Sequence, residues 1–331
     1  MHRTRCERRH GVGFTLVELT VSIALIGLLA MAAVPLLRVP LEGWMDATRR
    51  STLTTELDLV HTKLRDDMAR ALPGSVRVRT VGGRQLLEFL EVRASGTYRA
   101  VPPASGQPKC PTTCGGNGNG NGNNGNGNGN NGNGNGGGNN GNGNGNGGGG
   151  GVVANDALDS SCADTCFVNL SPWDNGLPAL AATDWVVVNP TGVAGPYSNG
   201  ANRVRTQALA VRADGRVDIA AHRFTPLSPS PQRFYIVTGP VTYECNTATR
   251  RLTRYWNYGI ANAQPANFNG AASATLSSRV QGCALRHERD AGLSGRGGIV
   301  NTWFRLSNAV TEPNSPESAD LQASFSVSEE P

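Results

Sequence analysis

The residues in this sequence able to do chemistry are few, and they are grouped unusually. Seven cysteines stand at positions 6, 110, 114, 162, 166, 245 and 283. Cys110 and Cys114 precede a Gly/Asn tract, and Cys162 and Cys166 follow it at the same spacing. Two short Cys pairs can form cross-linked disulfides or hold a zinc ion; an oxidising compartment favours disulfides. One arrangement joins Cys245 to Cys283 and pairs Cys110 and Cys114 with Cys162 and Cys166, although six cysteines allow fifteen pairings. Past the first 13 residues the histidines are only His61, His222 and His287. Gly292-Leu293-Ser294-Gly295-Arg296 misses the nucleophile-elbow pattern, and His287-Glu288 has Ala291 where a zinc protease would carry its second histidine. With no phosphate-cradling or dinucleotide motif either, the expectation is a protein without a catalytic site, metal or cofactor.

One further group stands out. Phe14–Leu37 is a 24-residue apolar run whose single charge is Glu18. As a helix it is about 36 Å long, enough for a ~30 Å hydrocarbon core. A carboxylate inside such a span costs roughly 2–3 kcal/mol or more and marks function. Arg3, Arg5, Arg8 and Arg9 lie just before it. A basic leader is retained in the cytoplasm, which predicts a single inner-membrane pass with the remainder of the chain in the periplasm. The formal charge of +5 is concentrated in this leader, so the rest of the chain carries no basic face suited to nucleic acid.

The elements that must position these residues follow from periodicity. Leu41–Leu72 reads as an amphipathic helix, with Leu53, Leu57, Val60, Leu64 and Ala71 on one stripe and Arg65, Asp66, Asp67 and Arg70 on other faces. Pro35 and Pro40 interrupt the helix locally, and Pro73-Gly74 stops it. Period-2 patterns then begin. Val76–Thr80 and Gln85–Val92 flank a Gly82-Gly83 hairpin turn. Further strands are predicted at 97–101, 185–188, 209–212, 216–219, 234–237, 241–244, 251–255, 300–306 and 321–327. The class expected is α+β, a long N-terminal helix with a membrane-spanning first half packed on antiparallel sheet. Between the strands, Gly115–Gly151 holds only 21 glycines and 16 asparagines. Such a tract has no side chain to bury and reads as a disordered insert.

The stretch Gly11-Val12-Gly13-Phe14-Thr15-Leu16-Val17-Glu18-Leu19 resembles the class III signal of type IV prepilins. That resemblance implies cleavage by prepilin peptidase between Gly13 and Phe14 and N-methylation of Phe14. It also implies a helix-kinking role for Pro35 and an assembly contact from Glu18 to the Phe14 amine of a neighbouring subunit. Arg65–Val78, Gly239–Cys245, Leu252–Trp256 and Val280–Cys283 are similar to MshO-type minor pilin-like proteins of MSHA pilus systems; PilW-like minor pilins and J-type pseudopilins share this layout. The organisation expected is therefore a leader (1–13), a transmembrane and assembly helix (14–37), an amphipathic continuation (38–74), and a pilin-like periplasmic β-rich domain (75–114 and 152–331) interrupted by the insert (115–151). The implied function is a minor subunit that primes or caps an MSHA-like type IV pilus, or alternatively a J-type pseudopilin at the tip of a type II secretion system. The implied partners are prepilin peptidase, other minor and major pilins or pseudopilins, and an inner-membrane assembly platform. The implied final location is the filament, at the cell surface in the pilus case.

Overall fold

The structure, a computed structural model, describes residues 15–101, 157–160, 163–172, 180–181, 183–190, 195–198, 202–207, 215–289, 298–313 and 316–327. One helix, α1 (Leu16–Ala69), leads into fourteen strands. These are β1 (Arg77–Val81), β2 (Arg84–Thr97), β3 (Arg99–Val101), β4 (Ala157–Asp159), β5 (Asp164–Val168), β6 (Trp185–Val188) and β7 (Arg203–Arg205). They continue with β8 (Arg216–His222), β9 (Arg233–Asn246), β10 (Arg251–Trp256), β11 (Ala272–Ser277), β12 (Val280–Arg289), β13 (Gly298–Ser307) and β14 (Ser318–Val327).

The expected α+β class with a membrane-spanning first helix half is corrected by this architecture. Strand is the dominant structure, and among the described residues no helix is long and apolar enough to cross a membrane. The stretch Leu16–Met31 carries Glu18, a charge that is costly inside a hydrocarbon core. The single inner-membrane pass is corrected on the same ground. The helix runs without a break through positions 35 and 40, where two proline interruptions were expected.

The main sheet has the order β1-β2-β9-β10-β11, with β6 also pairing β9 and β7 pairing β6. Its centre is the β2–β9 ladder, two 14-residue strands paired antiparallel from Arg84↔Asn246 to Thr97↔Arg233. Both strands have centres buried on both faces, at positions 86–90 of β2 and 240–245 of β9. The separate strands expected at 234–237 and 241–244 are one strand, and Gly239 takes a φ of 148° where the ladder shifts register. Gly82 and Gly83 turn the β1–β2 hairpin with φ of 56° and 78°, the left-handed pair that matches strand twist.

Three further small sheets complete the chain. β12-β13-β14 is an antiparallel meander, β5 pairs β8 antiparallel, and β3 pairs β4 in parallel, against the expectation of antiparallel sheet throughout. The strand expected at 209–212 and the insert at 115–151 lie outside the described residues.

The helix lies on the meander. Leu53, Leu57, Val60, Leu64 and Met68 are buried with Leu87, Phe89, Tyr243, Val300, Phe304 and Phe325 in one core. Their spacing of three and four places them on one stripe, the pattern that drives a helix face into apolar surroundings. At its exit the chain is stitched straight into β2. The Leu72 amide donates to the Leu90 carbonyl (2.8 Å) and the Val92 amide to the Arg70 carbonyl (2.8 Å). Ser75 Oγ accepts from the Leu90 amide at 3.0 Å. A second core, centred on Tyr98, Phe167, Val186 and Phe234, fills the far end of the main sheet.

Candidate assembly surface

The first five turns of α1 have no packing partner among the described residues. Leu16, Val17, Leu19, Val21, Ile23, Leu25, Ile26, Leu28, Leu29 and Met31 are all exposed, Leu16 at 78% and Met31 at 82%. These side chains point all round the helix, so no single face of it is the polar one. Exposed apolar surface on this scale marks a site of association. Thr15 caps the start, its Oγ1 accepting from the Glu18 amide at 3.2 Å. Glu18 therefore stands in the first turn, exposed, as the one carboxylate of this surface. Gly13 and Phe14, where the prepilin resemblance implies cleavage and methylation, lie outside the described residues, and so does the side chain of Pro35.

Farther along, α1 leaves a groove of about 780 Å³ lined by Trp44, Thr48, Thr55, Leu59 and Arg279. Trp44 is 73% exposed. Ion pairs rim this part of the helix: Arg49 with Asp46 and Glu312, Arg50 with Glu317 at 3.1 Å, and Arg279 with Glu56 at 3.5 Å. Such exposed pairs orient the helix more than they stabilise it.

What holds the helix rigidly is a buried charge cluster that sequence reading did not find. Asp67, expected on an outward face, is fully buried. Its Oδ2 accepts from Arg254 Nε at 2.6 Å and from the Tyr243 hydroxyl at 2.7 Å. Its Oδ1 accepts from Lys63 Nζ at 2.9 Å and from Arg70 at 3.2 Å. Burial alone would raise the Asp67 carboxyl, but the bonds from Arg254, Tyr243 and Lys63 outweigh it and hold the group below the usual carboxylate range. Burial and the neighbouring Asp67 charge push the Tyr243 phenol far above its ordinary value. Glu91 extends the cluster, 3.3 Å from Arg70 and 4.0 Å from Arg254. The last turn of α1 is thereby locked to β9 and β10, whichever way the exposed end is loaded.

A second buried carboxylate, Glu88 on β2, behaves in the opposite sense. It pairs with Arg77 at 2.8 Å, while its Oε2, Arg77 Nε and the Tyr197 hydroxyl find no hydrogen-bond partner. Burial raises its pKa, and Arg77 only partly opposes this. A carboxyl raised in the folded state contributes stability that is fully present below its unfolded pKa and is lost as pH rises through the folded value. Substituting Glu88→Gln is therefore expected to favour the variant increasingly as pH rises from 4 to 7, measured by urea unfolding at each pH. A difference between variant and parent that is flat with pH would remove this assignment.

The structure joins Cys245 to Cys283, with 2.05 Å between the sulfurs. Cys166 is also disulfide-bonded; Cys110, Cys114 and Cys162 lie outside the described residues. Among the described residues no group of three or more His, Cys, Asp or Glu side chains could hold a metal ion. The arrangement thus offers one chemically distinctive surface, the bare apolar helix end with its single carboxylate, on a charge-locked stem. No family model, curated protein or solved structure matches this chain.

Proposed function

We propose that this chain is a minor subunit of a type IV, MSHA-like filament, cleaved between Gly13 and Phe14 and N-methylated at Phe14 by prepilin peptidase, and acting in filament priming or at the tip. The observation that carries the reading is the exposed apolar end of α1, Leu16–Met31, directly after the Gly13-Phe14 pair. Like helices packed side by side would bury this surface at about 25 cal/mol per Å². In such a bundle Glu18 meets the new Phe14 amine of a neighbouring subunit, and the opposite charges offset one another's burial. The partners on this reading are prepilin peptidase and the other minor and major subunits.

Intact-mass analysis of the subunit from purified surface filaments tests this. The expected species begins at N-methyl-Phe14 and lacks Cys6 together with the rest of the leader. A chain that begins at Ala33, or that is absent from the filaments, overturns the reading.

A further inference from the structure

The connection from β10 to β11 does not turn directly. Between Asn257 and Gly270 it runs back over the main sheet, across β9 and β2 to β1 at the far edge. Positive φ angles bend the chain at both ends, 60° at Asn257 and 81° at Gly270. Side chains hold this strap down. Arg77 donates to the Ala261 and Asn262 carbonyls at 3.0 and 2.6 Å, Arg79 to the Gln264 carbonyl at 2.6 Å, and Arg84 to the Ala266 carbonyl at 3.1 Å. Gln264 Nε2 donates to the Leu86 carbonyl at 3.3 Å, and the Tyr258 and Thr242 hydroxyls meet at 2.6 Å. Phe268 stacks on Tyr255 with ring centroids 4.5 Å apart. Among the described residues no main-chain hydrogen bond joins 258–269 to the sheet. A segment attached in this way opens more readily than a laddered strand.

Beneath the strap lies a row of side chains, one from each of four strands. Arg77, Glu88, Thr242 and Tyr255 stand in cross-strand register, while the alternate residues Leu87, Phe89 and Tyr243 join the helix core on the other face. Glu88 is fully buried in this row. Its Oε1 accepts from Arg77 at 2.8 Å, and its Oε2 has no partner. Residues 195–198 help to roof it, with the Tyr197 ring centroid 3.6 Å from the Arg77 guanidinium carbon. The charged and titratable groups around Glu88 are therefore Arg77 from β1, Tyr197, Tyr258 from the strap, and Arg203 from β7 beside Tyr197. Burial, reinforced by the Glu88 charge, pushes both phenols far above their ordinary value. The arginines stay charged, so between about pH 4 and 7 Glu88 is the member of this set that changes charge.

We infer that residues 257–270 form an acid-closed strap, held down over Glu88 when its carboxyl carries a proton and lifted more often when the carboxyl is ionised. The cause is the lone Oε2. Ionised, Glu88 is a half-satisfied charge out of water, and lifting the strap lets water reach it. Protonation removes that drive. Burial accordingly holds the carboxyl above the usual carboxylate range, and Arg77 only partly opposes this. A carboxyl raised by closure binds its proton more tightly in the closed form. Closure is therefore favoured below the pKa of the lifted form and weakens as pH rises through that of the closed one. The strap lies on the face of the main sheet opposite α1, and the inference stands independently of the filament reading.

A thiol under the strap reads the opening. Gln264 is 7% exposed, and its side chain makes one long bond, so Gln264→Cys places a reporter there with little loss of contact. The full-length protein, dispersed in detergent because of its exposed helix end, is labelled with 4,4′-dithiodipyridine. Peptide mapping assigns the label to position 264, and an unstructured peptide of the same local sequence corrects for the reagent's own pH dependence. The corrected rate is expected to rise about tenfold from pH 4 to 7, the change in opening that accompanies a tenfold tighter proton in the closed form. Glu88→Gln should make the rate slow and flat with pH. Arg79→Ala, at an exposed residue bonded to the strap and not to Glu88, should speed labelling while keeping the pH dependence. Leu86→Cys repeats the measurement from the sheet side. A corrected rate that is flat or falls with rising pH in both reporters, a pH dependence retained in Glu88→Gln, or a rate unchanged by Arg79→Ala overturns the proposal.

Discussion

Substituting Asp67→Ala will destabilise the chain by about 3–5 kcal/mol, the cost of leaving a buried charge cluster without its counterion. Arg254 and the Tyr243 hydroxyl both reach Asp67 Oδ2, at 2.6 and 2.7 Å, so one truncation strands two buried donors. Glu91, 4.0 Å from Arg254, is too distant to replace the lost carboxylate. Asp67→Asn keeps the shape and one acceptor and is expected to cost less than the alanine. Urea unfolding at pH 7 reads both values. A loss under about 1 kcal/mol for the alanine would mean that the cluster is solvated rather than buried. The pH dependence supplies a second check. Asp67 has a lowered folded pKa, so its contribution is present above the unfolded carboxyl value and is lost as pH falls through the folded one. The parent should therefore lose stability on acidification more steeply than the Asp67→Asn variant, opposite in sense to the behaviour expected of Glu88.

The second large effect concerns Cys245 and Cys283. Replacing both by alanine is expected to cost about 4 kcal/mol, the loop-entropy value for a separation of 38 residues. Cys245 is fully buried on β9, while Cys283 belongs to β12, so the bond ties the main sheet to the meander under the helix. Beside the bond, Gln85 also links the two sheets. Its Oε1 accepts from the Leu285 amide at 2.6 Å, and its Nε2 donates to the Cys283 carbonyl at 3.4 Å. Because that side chain is a weak substitute for a covalent bond, amide exchange in β12–β14 should quicken before exchange in β2 and β9. Equal protection in the two sheets after the bond is removed, or an unchanged unfolding midpoint, would show that the bond does not tie them.

Local signals in the sequence carried a large share of the architecture. The three-and-four spacing of Leu53, Leu57, Val60 and Leu64 placed the packed stripe of the helix, because a helix repeats every 3.6 residues whatever it packs against. The Gly82-Gly83 hairpin was legible for an equally local reason: two consecutive left-handed residues at a tight turn call for glycine.

What stayed hidden is whatever depends on partners far apart in the chain. Asp67 reads as one more polar helix residue until Arg254, 187 positions later, is brought against it by β10. β8 was read beside a strand at 209–212, which lies outside the described residues; its ladder partner β5, from much earlier in the chain, had no local signal. The apolar run at the N-terminus suggested a membrane span from composition alone, whereas the described helix falls short of one. Trp303 and Gly282 are ordinary residues of two strands until the β12–β13 register lays the indole over the glycine. A sequence determines periodicity, caps and turns because these are set within a few residues. It leaves buried charge pairing and strand register to the tertiary structure, because their energies exist only once distant segments exclude water from one another.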